Sequence, residues 1–258
     1  MAEQIGLIKY KGNLGGLSGY SQGGKALIRR AGGGSKEQFN NSPTMERTRE
    51  NAAEFGNAAS SGKLLRDAMR IVISQGSDRY LTARVTQKMS EIIKKDGVNT
   101  RGQRGVLDDE TNLFEGFDFN QNAIFGSVVY LKPEVSINRQ TGEISANIPS
   151  HNPRIVIAAP RGATHYRFFG CASNINFEAN DFSTVEDESD FIEIGNSAVA
   201  EINLDFGMED AQNQNVNLTS PIFVAVGISF FQDVNGEKYP LKNGAYNAVK
   251  VVKVDTGV

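Results

Sequence analysis

Hydrophobic and polar positions follow different patterns in the two halves of this 258-residue chain. Between Ser42 and about residue 95, apolar residues recur at the spacing of amphipathic helices, whereas from Phe117 onward they alternate with the period of β-strands. A glycine-rich stretch precedes the helical region. We therefore expect an α+β chain with two unlike parts, residues 1–110 and residues 111–258.

The first part opens with glycine-punctuated β segments. Residues 5–34 hold ten of the 27 glycines, and short β-prone pieces lie between them at 5–11, 17–20 and 25–30. This pattern predicts a Gly-rich β-meander of two or three strands. Its large apolar residues are too few to stabilise a separate small sheet, so we expect it to pack on the helices of its own half, on the second part or on a neighbouring subunit.

A helical stretch is predicted after the meander. Ser42 and Pro43 are typical of a helix start, and the apolar spacing continues to about residue 74. The middle of this stretch consists of small residues, which allow another backbone to approach closely but weaken a helix. A break near Gly56 or Gly62 is therefore expected.

A second helix is predicted over residues 78–95, which would make a helical hairpin with the first. One apolar stripe follows its face, formed by Leu81, Val85, Met89 and Ile92. The basic segment TRGQRG at residues 100–105 follows, and we place the boundary between the two parts close to it.

The second part reads as short strands separated by turns. A hairpin is predicted from strands at 134–138 and 143–148, and Asn235-Gly236 is a strong hairpin turn. The strand spacing predicts an antiparallel Ig-like or fibronectin-III-like β-sandwich, although one Cys and no Trp exclude the Ig signature. The other predicted strands are 154–158, 164–177, 191–194, 198–206, 222–232 and 246–254.

Charge is distributed unequally between the two parts. Residues 1–110 hold 18 Lys and Arg against 12 Asp and Glu, whereas residues 111–258 hold 9 against 18. Opposite charges on the two ends favour head-to-tail contact between copies. The alternatives are solvated faces with internal ion pairs, and nucleic-acid contact by the basic part. The expected assembly contacts are Tyr10, Leu17, Tyr20, Arg29, Arg30, Arg47, Arg49, Arg101, Arg104, Asp187, Glu188 and Asp190.

One segment matches the pattern of a phosphate-binding loop. Residues 19–25 read GYSQGGK, but Ala26 occupies the position of the magnesium-binding hydroxyl residue. The residues that follow are typical of a strand, whereas the loop requires a helix N-terminus as its anion site. We interpret the segment as a hairpin turn and expect no nucleotide cofactor.

Candidate catalytic and metal-binding residues are sparse. Cys171 lies in an apolar strand pattern, and His165 is too distant along the same strand to activate it. His151 and His165 do not have the spacing of a zinc site. The acidic cluster at residues 181–193 is interpreted as a solvated loop between strands, with a docking patch or a calcium site as alternatives.

We expect no leader or membrane segment. The first residues, MAEQI, lack the basic and apolar regions of a signal peptide, and the longest apolar run, 221–231, has the length of a strand. A net charge of −3 argues against general nucleic-acid binding. The expected location is the cytoplasm or the interior of an assembled particle.

Two regions resemble a group of uncharacterised Bacteroidota proteins. They are residues 5–12 (IGLIKYKG) and the segments RTREN, EFG and GKLLR between residues 47 and 66. The resemblance covers most of the chain and is strongest over the first 110 residues. It implies a Gly-rich N-terminal ribbon, a helical region and a β-rich C-terminal region, together with a bacterial or phage-related origin. It implies no activity and no site residues.

These observations lead to two hypotheses. The first is a non-enzymatic structural subunit of a virion, tail-like particle or filament, which self-associates through its N-terminal half as a homo-oligomer or with other subunits. The second is a binding module whose β-sandwich loops hold a protein or glycan while the N-terminal half docks to a larger complex. Neither hypothesis requires a membrane, a cofactor or a metal ion.

Overall fold

Two compact units divide the chain in a computed structural model that describes residues 2–6, 8–32, 36–208, 218–241 and 244–257. The first unit is Met1–Asn51 and the second is Ala52–Val258. The boundary predicted near residue 110 lies inside the second unit.

A small antiparallel sheet begins the first unit. Within the described residues its strands stand in the order β1-β4-β3-β2, and two-residue turns at Gly15-Gly16 and Gly23-Gly24 connect them. All four turn glycines have positive φ, which is the backbone that tight hairpins require. The strands are β1 (Ala2–Glu3), β2 (Gly12–Leu14), β3 (Leu17–Gln22) and β4 (Lys25–Arg30); helix α1 (Lys36–Asn41), a 3-10 turn (Pro43–Met45) and α2 (Glu46–Ala68) follow.

The second unit begins inside α2 and contains the remaining elements. Its helices are α3 (Arg70–Gln75), α4 (Leu81–Ile93), a 3-10 helix (Asp108–Phe114), α5 (Phe125–Val128) and α6 (Pro153–Val156). Its strands are β5 (Glu134–Asn138), β6 (Glu143–Ile148), β7 (His165–Asn176), β8 (Asp181–Glu188), β9 (Ile192–Glu193), β10 (Ile202–Asp205), β11 (Ile222–Val234), β12 (Glu237–Pro240) and β13 (Ala248–Asp255).

Two long strands, β7 and β11, form the centre of the larger sheet. They pair antiparallel from Ile222 opposite Asn174 to Phe231 opposite His165. β8 and β9 pair with the outer edge of β7, while β12 and β13 pair with the outer edge of β11. A smaller sheet has the order β10-β6-β5. All of these pairings are antiparallel, so the chain is of the α+β class.

Both faces of the larger sheet are buried. Alternate side chains of β7 and β11 point to opposite faces, which places neighbouring residues in two different hydrophobic cores. On one face, Phe169, Cys171, Phe223 and Ala225 pack with the apolar stripe of α2–α4. On the other face, Phe168, Ala172, Val224 and Val226 pack with residues of the smaller sheet.

This three-layer arrangement does not confirm the predicted Ig-like sandwich. In a sandwich, each sheet buries one face against the other and turns its second face to solvent. Here the second face of the larger sheet is covered by helices, because β7 and β11 carry apolar residues at successive positions rather than alternate ones.

The predicted helix break is wrong in its position. α2 continues through Gly56 and Gly62 and ends at Ala68, with Met69 separating it from α3. Gly62 is tolerated because α4 packs on it: a Cβ added at Gly62 would lie 3.1 Å from Cγ1 of Val85. Close helix packing therefore outweighs the low helix propensity of glycine at this position.

Some of the other elements predicted for the second unit are confirmed, and others are wrong. The hairpin of β5 and β6 has the predicted bounds, and β7, β11 and β13 lie where strands were expected. The strand predicted at 154–158 is wrong: α6 forms there, capped by the Asn152 side chain and begun by Pro153. The acidic loop predicted within 181–193 is also wrong in part, because Asp181–Glu188 is strand β8.

We predict that alanine at the two α2 glycines has opposite consequences. Gly56→Ala is expected to raise the free energy of unfolding by about 0.5–1 kcal/mol, because Gly56 is exposed and its added Cβ meets no neighbour. Gly62→Ala is expected to lower the free energy of unfolding, because the added Cβ crowds Val85. Urea unfolding of both variants measures the difference, and equal gains would contradict the packing described here.

Candidate functional site

The N-terminal sheet is held together by polar contacts around Gln4. Its Nε2 atom donates to the carbonyl oxygens of Leu27 at 2.9 Å and Tyr10 at 3.2 Å, and its Oε1 atom accepts from the Tyr10 N–H at 2.9 Å. Tyr10 crosses over Gly19, where an added Cβ would lie 2.4 Å from the Tyr10 carbonyl oxygen. Gly19 is therefore required for the position of Tyr10.

Strands β3 and β4 present the other predicted contact residues of this sheet. The Arg29 guanidinium lies 5.4 Å from the ring centre of Tyr20, which is the geometry of a cation–π contact. Leu17 is 43% exposed, and Arg29 and Arg30 are exposed. One small sheet thus carries an apolar side chain, an aromatic ring and two cationic groups.

The two predicted arginines of α2 have local roles in the first unit. Arg47 forms an ion pair with Glu50 at 2.9 Å. Arg49 donates from Nη1 to the carbonyl oxygens of Phe39 at 2.7 Å and Ser42 at 2.9 Å. These bonds hold the segment before α2 against the start of the helix, so Arg49 has a structural role in addition to any intermolecular one.

The described residues of the first unit do not form a hydrophobic core. Among residues 2–6, 8–32 and 36–51, no hydrophobic side chain is buried. Ile5 and Ile8 are 91% and 89% exposed, and Leu14 is 67% exposed. Backbone pairing without apolar burial stabilises a small sheet only marginally. The described part of this sheet alone is therefore only marginally stable.

In the second unit, the predicted basic loop is organised by a buried carboxylate. Asp96 is 1% exposed and accepts hydrogen bonds from the backbone N–H groups of Val98, Asn99 and Gly105 at 2.9–3.0 Å. The Asn99 side chain donates to the same carboxylate at 2.8 Å. Hydrogen bonds from the Asn99 backbone, the Asn99 side chain and the other two N–H groups hold the pKa of Asp96 well below its usual range.

A second carboxylate ties this loop to α2. Glu54 accepts a hydrogen bond from the Gly102 N–H at 3.0 Å and lies 3.9 Å from Nε of Arg104. Asn57, one turn along the helix, donates to the Arg104 carbonyl oxygen. Arg104 therefore faces α2, while Arg101 is exposed on the same loop.

The predicted acidic contacts lie on and just after β8, at an edge of the larger sheet. Asp187 accepts from the Asp205 N–H at 2.9 Å, and Glu188 is paired with Arg167 at 2.6 Å. The Glu188 side chain is 51% exposed despite this pair, and Asp190 is exposed. The structure thus brings Asp187, Glu188 and Asp190 together, and it places Arg101 and Arg104 on one loop.

A cleft beside α4 in the second unit was not expected from the sequence. It has a volume of about 770 Å³, and Arg84, Lys88, Glu115, Phe117 and Asp118 are among its lining residues. The Arg84 guanidinium stacks 5.1 Å from the Phe117 ring centre. The cleft therefore combines charged side chains with an aromatic ring.

Arg84 is the centre of a buried polar network in this cleft. It pairs with Asp78 at 2.6 Å and donates to the carbonyl oxygens of Asp118 and Phe119. Burial alone would raise the pKa of Asp78, but hydrogen bonds from Gln121 and Tyr80 N–H groups, together with Arg84, lower it. Because Arg84 is committed to these partners, the network fixes the start of α4 against the Asp118–Phe119 segment.

Asp118 differs from Asp78 in its environment. Burial raises the pKa of Asp118, although its carboxylate accepts a hydrogen bond from the Phe125 N–H at 2.8 Å. A carboxyl group with a raised pKa in a cleft is a candidate acid or base. Neither Asp78 nor Asp118 stands in a motif that the sequence alone would mark as a site.

Cys171 is buried at the centre of β7, as the apolar pattern around it predicted. Burial raises the pKa of its thiol to about 12, so the thiolate nucleophile is not formed near neutral pH. Among the described residues, no three His, Cys, Asp or Glu side chains form a group that could hold a metal ion. No helix in the described ranges has both the length and the apolar character needed to cross a membrane.

The chain was compared with protein families, with curated proteins and with solved structures, and no significant match was found.

We predict that Asp96 controls part of the acid sensitivity of the protein. The pKa of Asp96 in the folded protein lies below 3.8, its value in the unfolded chain. The ionised carboxylate therefore contributes its full stabilisation above pH 3.8, and this contribution is lost as the pH falls from 3.8 towards the pKa of the folded state. At pH 7, Asp96→Asn is expected to lower the free energy of unfolding by about 1–3 kcal/mol. The amide group offers one acceptor oxygen where the carboxylate offers two, so some of the N–H donors lose their partner.

Urea unfolding at a series of pH values from neutral to acidic tests this prediction. The stability difference between wild type and Asp96→Asn should shrink below the unfolded pKa of Asp96. Asp109→Asn is the control, because it removes the same charge from an exposed position close in sequence. A difference that stays constant with pH would show that the carboxylate charge of Asp96 is unimportant.

Proposed function

We propose that this chain is a non-enzymatic structural subunit of a virion, tail-like particle or filament, and that it self-associates through its N-terminal unit. The observation that carries the proposal is that the described residues of the first unit bury no hydrophobic side chain, and that Ile5, Ile8 and Leu14 are exposed. A sheet of this kind becomes stable when another surface covers it.

Charge supports a second copy of the chain as the covering partner. The first unit carries eight Lys and Arg against four Asp and Glu, whereas the second carries 19 against 26. A basic unit that binds the acidic unit of the next copy makes a head-to-tail contact, which generates rings or open filaments. In this scheme Asp187, Glu188 and Asp190 form the acidic side of the contact.

The second unit supplies the rigid part of such a subunit. It has two extensive hydrophobic cores, so we expect it to fold without the N-terminal sheet. We propose that this unit, with its two sheets, is displayed or laterally paired in the assembly. The proposal assigns no cofactor and places the protein in the cytoplasm or within an assembled particle.

We predict salt-sensitive assembly that depends on the N-terminal sheet. Light scattering and negative-stain imaging of the full chain at low salt should show regular particles or filaments, and high salt should loosen them because it screens the charges. Deletion of residues 1–34 should abolish the assembly and leave the second unit folded, as judged by cooperative unfolding.

A charge-matched pair of variants separates the proposed contact from net charge. Arg29→Glu with Arg30→Glu should weaken the assembly at low salt. Lys94→Glu with Lys95→Glu changes the net charge equally at exposed positions of the second unit and should leave the assembly intact. A monodisperse monomer at every salt concentration, or equal effects of the two double variants, would overturn the proposal.

A further inference from the structure

A groove lies between helix α3 and strand β8, on the face of the larger sheet that packs with the helices. It consists of two neighbouring cavities of about 340 and 310 Å³, whose linings share Ile71, Val72 and Glu186. Ile71 on α3 is 54% exposed, and Phe182 on β8 is 40% exposed. This α3–β8 groove therefore opens to solvent between two apolar side chains, and all of its lining residues belong to the second unit.

Hydrogen bonds hold the two sides of the groove together. Thr184 on β8 donates from Oγ1 to the carbonyl oxygen of Ala68, the last residue of α2, at 3.0 Å. Because the Thr184 hydroxyl gives its only proton to Ala68, the Ser173 hydroxyl on β7 donates to Thr184 at 2.9 Å. The groove is therefore formed before any partner arrives, which lowers the entropy cost of binding.

The groove carries an uncompensated negative charge. Glu186 is exposed, and its side chain has no hydrogen bond or ion pair within the described part of the chain. Asp67, on the opposite side, is instead paired with Lys63 at 2.6 Å and with Arg70 at 3.2 Å. The groove therefore suits a partner that brings apolar side chains next to a cation.

The N-terminal sheet presents a row of side chains with this composition. Leu14 on β2 lies directly opposite Leu17 on β3, and Leu17 lies directly opposite Arg30 on β4. Residues opposite each other in antiparallel strands point to the same face, so the three side chains form one row across the sheet. Leu14 and Leu17 are 67% and 43% exposed. Arg30 is also exposed, and its side chain has no hydrogen bond or ion pair with any described residue.

We propose that the row of Leu14, Leu17 and Arg30 on one copy occupies the α3–β8 groove of the next copy. The leucines cover the apolar sides of the groove, and Arg30 forms an ion pair with Glu186. The row and the groove are different surfaces of one chain, so the contact is heterologous and repeats from copy to copy. This inference rests on the self-association proposed above and identifies the residues that make its contact.

Charge reversal on each side of the contact tests the proposal. Full-length Arg30→Glu and full-length Glu186→Arg should each lose assembly at low salt, because each places like charges in the contact. An equimolar mixture of the two variants should assemble again. In the mixture, the sheet of the first variant meets the groove of the second with opposite charges, and the remaining contact is the wild-type one. Light scattering and negative-stain imaging measure all three samples.

Glu237→Arg is the matched control. It makes the same change of charge at an exposed position of β12, which lies at the edge of the larger sheet opposite to β8. This variant should assemble as the wild type does. Its mixture with Arg30→Glu should scatter no more light than Glu237→Arg alone at the same concentration.

The possible outcomes separate this contact from self-association itself. Normal assembly of Glu186→Arg would overturn the contact and leave the groove for a different protein. Loss of assembly in both single variants without recovery in their mixture would also overturn it, because the two residues would then not meet. Self-association stands in both cases if the wild type assembles. A wild type that stays monomeric at low salt would overturn self-association and this contact together.

Discussion

Burial of the β7–β11 pair on both faces is the constraint on which the second unit depends. Successive residues of these strands serve two cores, one shared with α2–α4 and the other with the smaller sheet. A shift of either strand by one residue would exchange the two sets of side chains. Register is therefore specified twice, which explains how one sheet can order both a helical layer and a second sheet.

The first unit is built on the opposite principle. Its sheet is held by backbone pairing, glycine turns and the Gln4 hydrogen bonds, and Leu14 and Leu17 on its strands are exposed. The contrast between a unit with two hydrophobic cores and a unit whose described residues bury no hydrophobic side chain is the basis of the proposed division between folding and association.

The sequence allowed prediction wherever local pattern and turn chemistry agree. The β5–β6 hairpin and the apolar run of β11 are examples. Prediction was wrong where packing or pairing decided: Gly62 is helical because α4 covers it, and the acidic residues of β8 are extended because β7 offers an edge. The α6 error was avoidable, since Asn152-Pro153 carries the same helix-start signal as Ser42-Pro43.

The functional features were less predictable than the fold. Charge alone predicts assembly contacts at Arg101, Arg104, Asp187 and Glu188. The ion pair of Glu188 with Arg167, however, depends on a strand pairing that no local sequence pattern reveals. The α3–β8 groove is even harder to predict from the sequence. Its two sides come from segments distant in sequence, which only the folded sheet and its helical layer bring together.

The helical layer has a consequence for synthesis on the ribosome. Helices α2–α4 emerge early, but the strands that cover their apolar stripe, β7, β11 and β13, are made much later. Contacts so distant in sequence close slowly. During translation we therefore expect the apolar stripe of α4 to stay exposed until these strands have been made, and to be bound by chaperones in that interval. The N-terminal sheet also leaves the ribosome well before the second unit can fold.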